Sequence, residues 1–392
     1  MPVLPVLPLS SLLRGHATAI LEDVIARFRR RGVEIQPREA VEVACEPLPA
    51  LLFLTGGTEH KALEFAEKVQ KPLLLLAQSG HNSLPAALET AARLREAGRK
   101  VWLIPENLGE RLDLFVQVAE LARNLLGKRV GWIGGASPWL VASVQAAEVL
   151  KHKLGLEVVP IPLSSVLEGL PGEGERPEGQ GLGIGEAERD MAGRVYFALK
   201  NLAQKENLLA LSIACFGLLH HGLTACYALA RLSDEGLPAG CEGDLAGLLA
   251  LILAKLLSGG PGFLANPVEI DPKSKRLLLA HCTVPLSLVD EFVFRTHFES
   301  GIGLAVGGKL KPGPYTLVRF GGARLEKIFA VEGTVLSESP GREDLCRTQA
   351  WFKMPKGALE KLLREPLGNH HVLIPGQHRT VLSLFHEVFL AD

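Results

Sequence analysis

The chain has 392 residues, enough for two to three domains at about 100–200 residues each. Forty-two basic residues stand against 43 acidic ones, and a net charge of −1 gives no electrostatic basis for nucleic acid or an anionic membrane as partner. Apolar residues make up 47 %, ample for buried cores, and none of the six cysteines forms a CxxC pair, so neither a zinc knuckle nor a CxxC redox motif is indicated.

The opening MPVLPVLPLSS carries early prolines and no basic segment, so it does not read as a signal peptide. An amphipathic stretch from Thr18 ends in Arg29-Arg30-Arg31, the solvated carboxyl end of a helix rather than a nucleic-acid patch. Strand-like and helix-like segments then alternate. Leu51–Leu54 is a short apolar run stopped by Thr55-Gly56-Gly57, Glu59–Val69 is helical, and Pro72–Ala77 is a buried strand. Leu84–Ala97 is helical, Val101–Ile104 a strand, and Leu112–Leu126 helical again. The pattern restarts with the strand Val130–Ile133, the helix Ala142–Lys153 and the strand Val158–Ile161. Glu168–Glu186, rich in Gly, Pro and Glu, is a loop or a linker, and α/β character resumes from Met191 to Leu232. Its Gly179–Gly185 run follows a loop rather than a strand, so it is not a dinucleotide fingerprint.

The longest apolar run, Leu245–Leu257, includes Lys255 and falls short of the ~20 residues a bilayer needs; a soluble cytoplasmic protein is expected. Beyond about Leu277 short β-rich segments recur: Leu304–Gly307, Tyr315–Phe320, Lys327–Val331 and Thr348–Lys353. The expected architecture is α/β: two doubly wound, Rossmann-like units followed by a β-rich, barrel-like carboxyl-terminal domain. The corresponding divisions are residues 1–127, 128–275 and 276–392.

Four segments carry candidate chemistry. In Gly240-Cys241-Glu242-Gly243-Asp244 two acids precede a helix, where Asp244 would cap it and Glu242 would sit in the preceding turn. Asn369-His370-His371 offers two imidazoles at a strand entrance, of which alternation lets one face a given site. His281 lies within the strand-like Leu279–Thr283, and Arg295–Gly303 gathers His297, Glu299 and Ser300 against flexible glycines, as a pocket wall would. His220-His221, inside an apolar stretch, is expected in helix packing. Carboxylates with histidines suit a divalent metal such as Mn²⁺. In the first unit, Thr55, Gly56, His81 and Asn82 follow the carboxyl ends of expected strands, where open α/β sheets place ligands.

Taken in order, CEGDL at 241–245, GGPGFLANP at 259–267, LAHCT at 279–283, HFESGIGLAVGG at 297–308 and PLGNHHVLIPG at 366–376 resemble the L-fucose/L-arabinose isomerase family. The match at Ser79–Ala86 is weaker; there the family lines a pocket shared with a neighbouring subunit. The resemblance implies a Mn²⁺-dependent (or other divalent-metal) aldose–ketose isomerase acting on a pentose or 6-deoxyhexose through an enediol, in a homo-oligomer with inter-subunit active sites. It implies Glu242 as ligand and acid/base, with His281 and His370 or His371 as ligands. Asn369, beside that pair, is a candidate substrate contact. One position departs from the family: its second carboxylate falls near Ala265-Asn266, and Asn266 can ligate a metal but cannot take up a proton. Glu299 or Asp244 would then supply the second acid. Otherwise the chain is a sugar-binding or regulatory protein, or runs an epimerase- or aldolase-like reaction, on the same scaffold.

Overall fold

The computed structural model describes residues 3–12, 14–107, 109–144 and 147–392. It divides into two compact units, residues 1–126 with 387–389, and residues 127–386 with 390–392.

The first unit is built on a parallel sheet of β1 (Val3–Leu9), β2 (Glu34–Pro37), β3 (Ala50–Phe53), β4 (Leu73–Ala77) and β5 (Val101–Pro105), in the order β2-β1-β3-β4-β5. Every residue of β3 and β4 is buried, as expected of strands covered on both faces. Leu51, Phe53, Leu73 and Leu75 pack with Phe65, Ala87 and Leu94 of the helices Glu59–Lys68 and Ser83–Glu96. The opening segment, expected only as a non-signal stretch, is a central strand despite Pro5 and Pro8. The strand order reverses between β1 and β3, and there the loops following both strands meet: Ser11 Oγ donates to the Gly56 carbonyl at 2.8 Å. The basic turn Arg27, Arg29 and Arg30 closes the helix Arg14–Arg30 as expected.

The second unit opens with a parallel sheet of β6 (Arg129–Ile133), β7 (Glu157–Ile161), β8 (Leu208–Ile213) and β9 (Ala239–Cys241), in the order β7-β6-β8-β9. The helix expected from Ala142 is observed as Ala147–Leu154. Ahead of it, successive turns close through Leu140 N to Ser137 O and Ser143 N to Leu140 O; residues 145 and 146 lie outside the described set. His220 and His221 end the 3₁₀ turn Cys215–His221 and are exposed, so they do not pack in a helix. Gly179–Gly185 lies in the loop ahead of the helix Glu186–Lys205. Gln180 and Leu182 of this run hydrogen-bond the backbone of Phe294.

The helix Leu245–Ser258 is apolar all round and buried from Leu245 to Ala254, because β-structure covers every face of it. It packs on β8 and β9 of the sheet and on three strands of the barrel that follows. The remaining strands are β10 (Phe263–Asp271), β11 (Arg276–His281), β12 (Val289–Arg295), β13 (Ala305–Leu310), β14 (Gly313–Gly321), β15 (Lys327–Val335), β16 (Thr348–Lys353) and β17 (His371–Pro375). Six close an antiparallel ring, β10-β11-β16-β15-β14-β17, and β12 pairs with β13 apart from it. The β-rich part thus begins at Phe263, ahead of the expected Leu277. Asn266-Pro267 and a register shift between Pro267 and Glu269 interrupt the alternation that marks a strand. Two parallel α/β sheets followed by a β-barrel is the architecture the sequence led us to expect. Among the described residues no helix is long and apolar enough to cross a membrane.

Candidate metal centre and active site

The second sheet reverses its order between β6 and β8, and the loops leaving the carboxyl ends of its strands build one side of the site. Beyond β9 the chain turns sharply, with Glu242 at φ 61° and Gly243 at φ 69°. A Cβ at Gly243 would lie 1.9 Å from the Gly135 carbonyl oxygen, so the loop after β6 leaves room for glycine alone. Ser137 N donates to the Glu242 carbonyl at 2.9 Å, and the Trp132 indole to the Gly243 carbonyl at 2.9 Å. The same loop carries Trp139, whose Nε1–H donates to Glu242 Oε2 at 2.7 Å while its ring meets Phe216 edge-on at 4.7 Å. Glu242 is therefore a buried carboxylate fixed in both backbone and side chain.

His370 approaches from the entrance of β17. Its Nδ1 lies 3.0 Å from Asp244 Oδ2. Asp244 is fully buried and caps the central helix by accepting Gly247 N at 2.8 Å, the capping role its position suggested. Its Oδ2 also pairs at 2.5 Å with Arg319, a fully buried guanidinium on β14. Although burial raises the Asp244 carboxyl, the Arg319 charge and the His370 bond prevail and hold it far below the usual carboxylate range. An anionic Asp244 accepts a hydrogen bond from His370 Nδ1–H, which leaves the ring lone pair at Nε2. That Nε2 is buried without a protein partner, 3.7 Å from Glu242 Oε2.

His281, at the end of β11, completes the group. The donor atoms of Glu242, His281 and His370 lie within 4.8 Å of one another, all three side chains buried, and such a group could hold a metal ion. Thr283 Oγ1 lies 2.9 Å from His281 Nδ1. Burial, with the His370 and His297 rings nearby, lowers His281 to about 3, so it is a neutral imidazole able to donate its lone pair. Asn266, on β10, pairs in register with Ala280, the residue before His281, and its Oδ1 is buried without a partner.

The other expected residues take separate positions. His371 bonds the Asn369 carbonyl through Nδ1 at 3.1 Å and meets Phe329 edge-on, outside the three-residue group; burial lowers it to about 4. The Asn369 side chain is exposed in the loop before β17. Glu299 sits on the exposed turn after β12, and partial desolvation and the charge of Glu242 both raise its carboxyl. Asp244, the alternative second acid, is committed to Arg319, His370 and Gly247. In the first unit the loops after β3 and β4 meet: Gly56 N donates to the His81 carbonyl at 2.7 Å, and a Cβ at Gly56 would lie 2.9 Å from that of Asn82. Thr55 is buried, accepting Ser11 N at 2.9 Å, and a cavity of about 350 Å³ opens beside Asn82, Gln78 and Glu106.

Sequence reasoning missed Trp139, Phe216, Thr283 and Arg319. The rule applied to Thr55 and His81, that loops after parallel strands carry ligands, would have flagged Trp139 as well.

No protein-family model matches the chain. Among curated proteins it is 28 % identical over 229 residues to a sulfoquinovose isomerase of Priestia aryabhattai, covering 54 % of this chain and 51 % of that protein. It is 25 % identical over 285 residues to the sulfoquinovose isomerase of Alkalicoccus urumqiensis, covering 68 % of this chain and 64 % of that one. The chain is distantly homologous to sugar isomerases. It spans about half the length of the Priestia relative, and a third match, to the sulfoquinovose isomerase of Clostridium sp. (strain MSTE9), reaches 30 % over only 96 residues.

Proposed function

We propose that the protein is a divalent-metal-dependent aldose–ketose isomerase of the fucose/arabinose type, with its active centre at Glu242, His281 and His370. The observation that carries this reading is the buried three-residue donor set, with His370 Nε2 left open by its bond to Asp244. The donors fit a divalent ion. One carboxylate and two neutral imidazoles suit Mn²⁺ and similar metals, and the orphaned Asn266 Oδ1 offers a further oxygen. When bound there, the ion would supply Lewis-acid stabilisation of charge developing on the C1 and C2 oxygens of an open-chain sugar.

The protein's own groups then divide the proton work. Glu242 serves as the base that removes the proton next to the carbonyl, its carboxylate held on the reacting carbons by Trp139. Glu299, raised by partial desolvation and by Glu242, is the carboxyl that returns a proton on the other carbon and takes the place of the acid missing at Asn266. Asp244 and Thr283 orient the two imidazoles. Thr55, Gly56, His81, Asn82 and Asn369 are assigned to the sugar, with a neighbouring copy of the chain completing the pocket. The substrate class is a pentose or a 6-deoxyhexose. Sulfoquinovose, a 6-deoxyhexose bearing a C6 sulfonate and the sugar in the relatives' name, belongs in the test panel.

The experiment is proton exchange by NMR in D₂O, with metal-stripped protein resupplied with Mn²⁺ and offered a panel of aldoses. Ketose formation with deuterium gained at C1 or C2, lost in Glu242→Gln, is the expected result. Sugar binding without exchange would replace this reading with the binding-protein alternative.

A further inference from the structure

Five of the six cysteines belong to the second unit, and two of them stand in unusual proximity. Cys215 opens the turn after β8, and Cys241 ends the adjacent parallel strand β9. Their Sγ atoms are 2.8 Å apart, both side chains buried. A disulfide bond is about 2.05 Å long, so closing the gap needs sulfur movement of only ~0.8 Å. Cys215 also lines a small cavity of about 10 Å³ beside Phe216, Thr224, Cys226 and His297, roughly the space one water-sized molecule needs. A small oxidant would approach the pair from this side, through Cys215.

The chain leads from Cys241 directly into Glu242, whose turn leaves no slack: Gly243 abuts Gly135, and the Glu242 carbonyl is bonded to Ser137 N. Any pull on the Cys241 sulfur is therefore felt one residue later at the carboxylate.

We propose that Cys215 and Cys241 form an oxidisable dithiol, converted to a disulfide by hydrogen peroxide, and that closing it weakens divalent-metal binding at Glu242. The Cys215 sulfur attacks one peroxide oxygen and becomes a sulfenic acid as water leaves. The Cys241 sulfur then attacks the sulfenic sulfur, the S–S bond forms, and a second water departs. Both sulfurs are oxidised by one electron each, and the peroxide takes up the two electrons and the two thiol protons. The metal-binding half of the proposal rests on the active-centre reading above; the disulfide itself does not.

The test uses the reduced 392-residue chain treated with a small molar excess of hydrogen peroxide. Free thiols are blocked after denaturation, and a non-reducing digest is read by mass spectrometry. The expected product joins the peptides bearing Cys215 and Cys241, lighter by two hydrogens and restored by dithiothreitol. Mn²⁺ affinity, titrated in parallel, should fall about tenfold or more on oxidation and recover on reduction. Cys215→Ala should lose the crosslink and keep its Mn²⁺ affinity through peroxide treatment. Should that variant not fold, the wild-type digest still decides. Cys215 and Cys241 recovered as blocked free thiols, or a bridge between other cysteines in their place, would overturn the disulfide. A crosslink with unchanged Mn²⁺ affinity would overturn its coupling to the metal site. Reduced protein that binds no Mn²⁺ at all would count against the active-centre reading, and the digest would still decide the disulfide.

Discussion

Asp244 and His370 are 126 positions apart in the chain, yet Asp244 Oδ2 meets His370 Nδ1 at 3.0 Å in a fully buried pair. The contact joins the first turn of the central helix to the entrance of β17, and it fixes which imidazole nitrogen faces Glu242. Replacing Asp244 by Asn removes the anionic acceptor. Mn²⁺ affinity measured by calorimetry should fall by about 10- to 100-fold, as expected when the partner of a ligating histidine is lost. The same change strands the Arg319 guanidinium, so the urea unfolding free energy should drop by about 3–5 kcal/mol. Unchanged metal binding in a folded Asp244→Asn protein would remove Asp244 from the site.

Glu299→Gln separates proton transfer from metal binding. If Glu299 is the second acid, kcat should fall by about 10²- to 10⁴-fold while Mn²⁺ affinity changes little. A variant that isomerises sugar at the wild-type rate would return the search to Asn266 and its surroundings.

Trp139→Phe deletes one N–H and keeps the edge contact with Phe216. Because Trp139 is 47 % exposed, thermal stability should hardly move. Turnover should fall by about 10-fold, a loss of ~1.4 kcal/mol, since Glu242 Oε2 gives up its only indole donor and its carboxylate is freer to rotate. A large drop in melting temperature would instead mark Trp139 as structural.

Stability without metal should depend on pH in a predictable direction. Burial holds His281 at about 3 and His371 at about 4, against an ordinary value of 6.5. Below pH 6.5 the unfolded chain takes up protons that the folded rings refuse, so stability falls as pH drops. Above pH 6.5 both states are neutral and these rings add no slope. Between pH 6.5 and 4 each ring should contribute ~1.4 kcal/mol per pH unit. Urea unfolding in chelator at pH 7, 6 and 5 would measure this slope, and His371→Gln should make it shallower. A flat profile would place both rings in contact with water.

Much of the fold was legible, for identifiable reasons. β3 and β4 are unbroken apolar runs followed by polar or glycine turns, and both faces of such strands are covered, so composition alone marks them. β1 escaped because Pro5 and Pro8 argue against a central strand, and β10 because Asn266-Pro267 breaks its alternation. Of the site, Glu242, His281 and His370 were named from motifs. Sequence could say that one of His370 and His371 faces a given site, but the choice depends on Asp244, which no local pattern links to them. Arg319 did leave a trace: a lone charge inside the apolar strand Tyr315–Phe320 needs a buried partner. The nearness of Glu299 to Glu242, and of Cys215 to Cys241, comes from chain crossings that periodicity does not encode.

Glu242 adopts a left-handed backbone conformation that a side chain bearing a Cβ enters only at a cost of about 1–2 kcal/mol. Glycine would sit there more comfortably, and asparagine nearly so. A screen that rewards thermal robustness alone should therefore enrich glycine or asparagine at this position. Each such winner would be a sturdier protein without its central carboxylate. Directed-evolution campaigns on this scaffold should therefore hold that codon fixed.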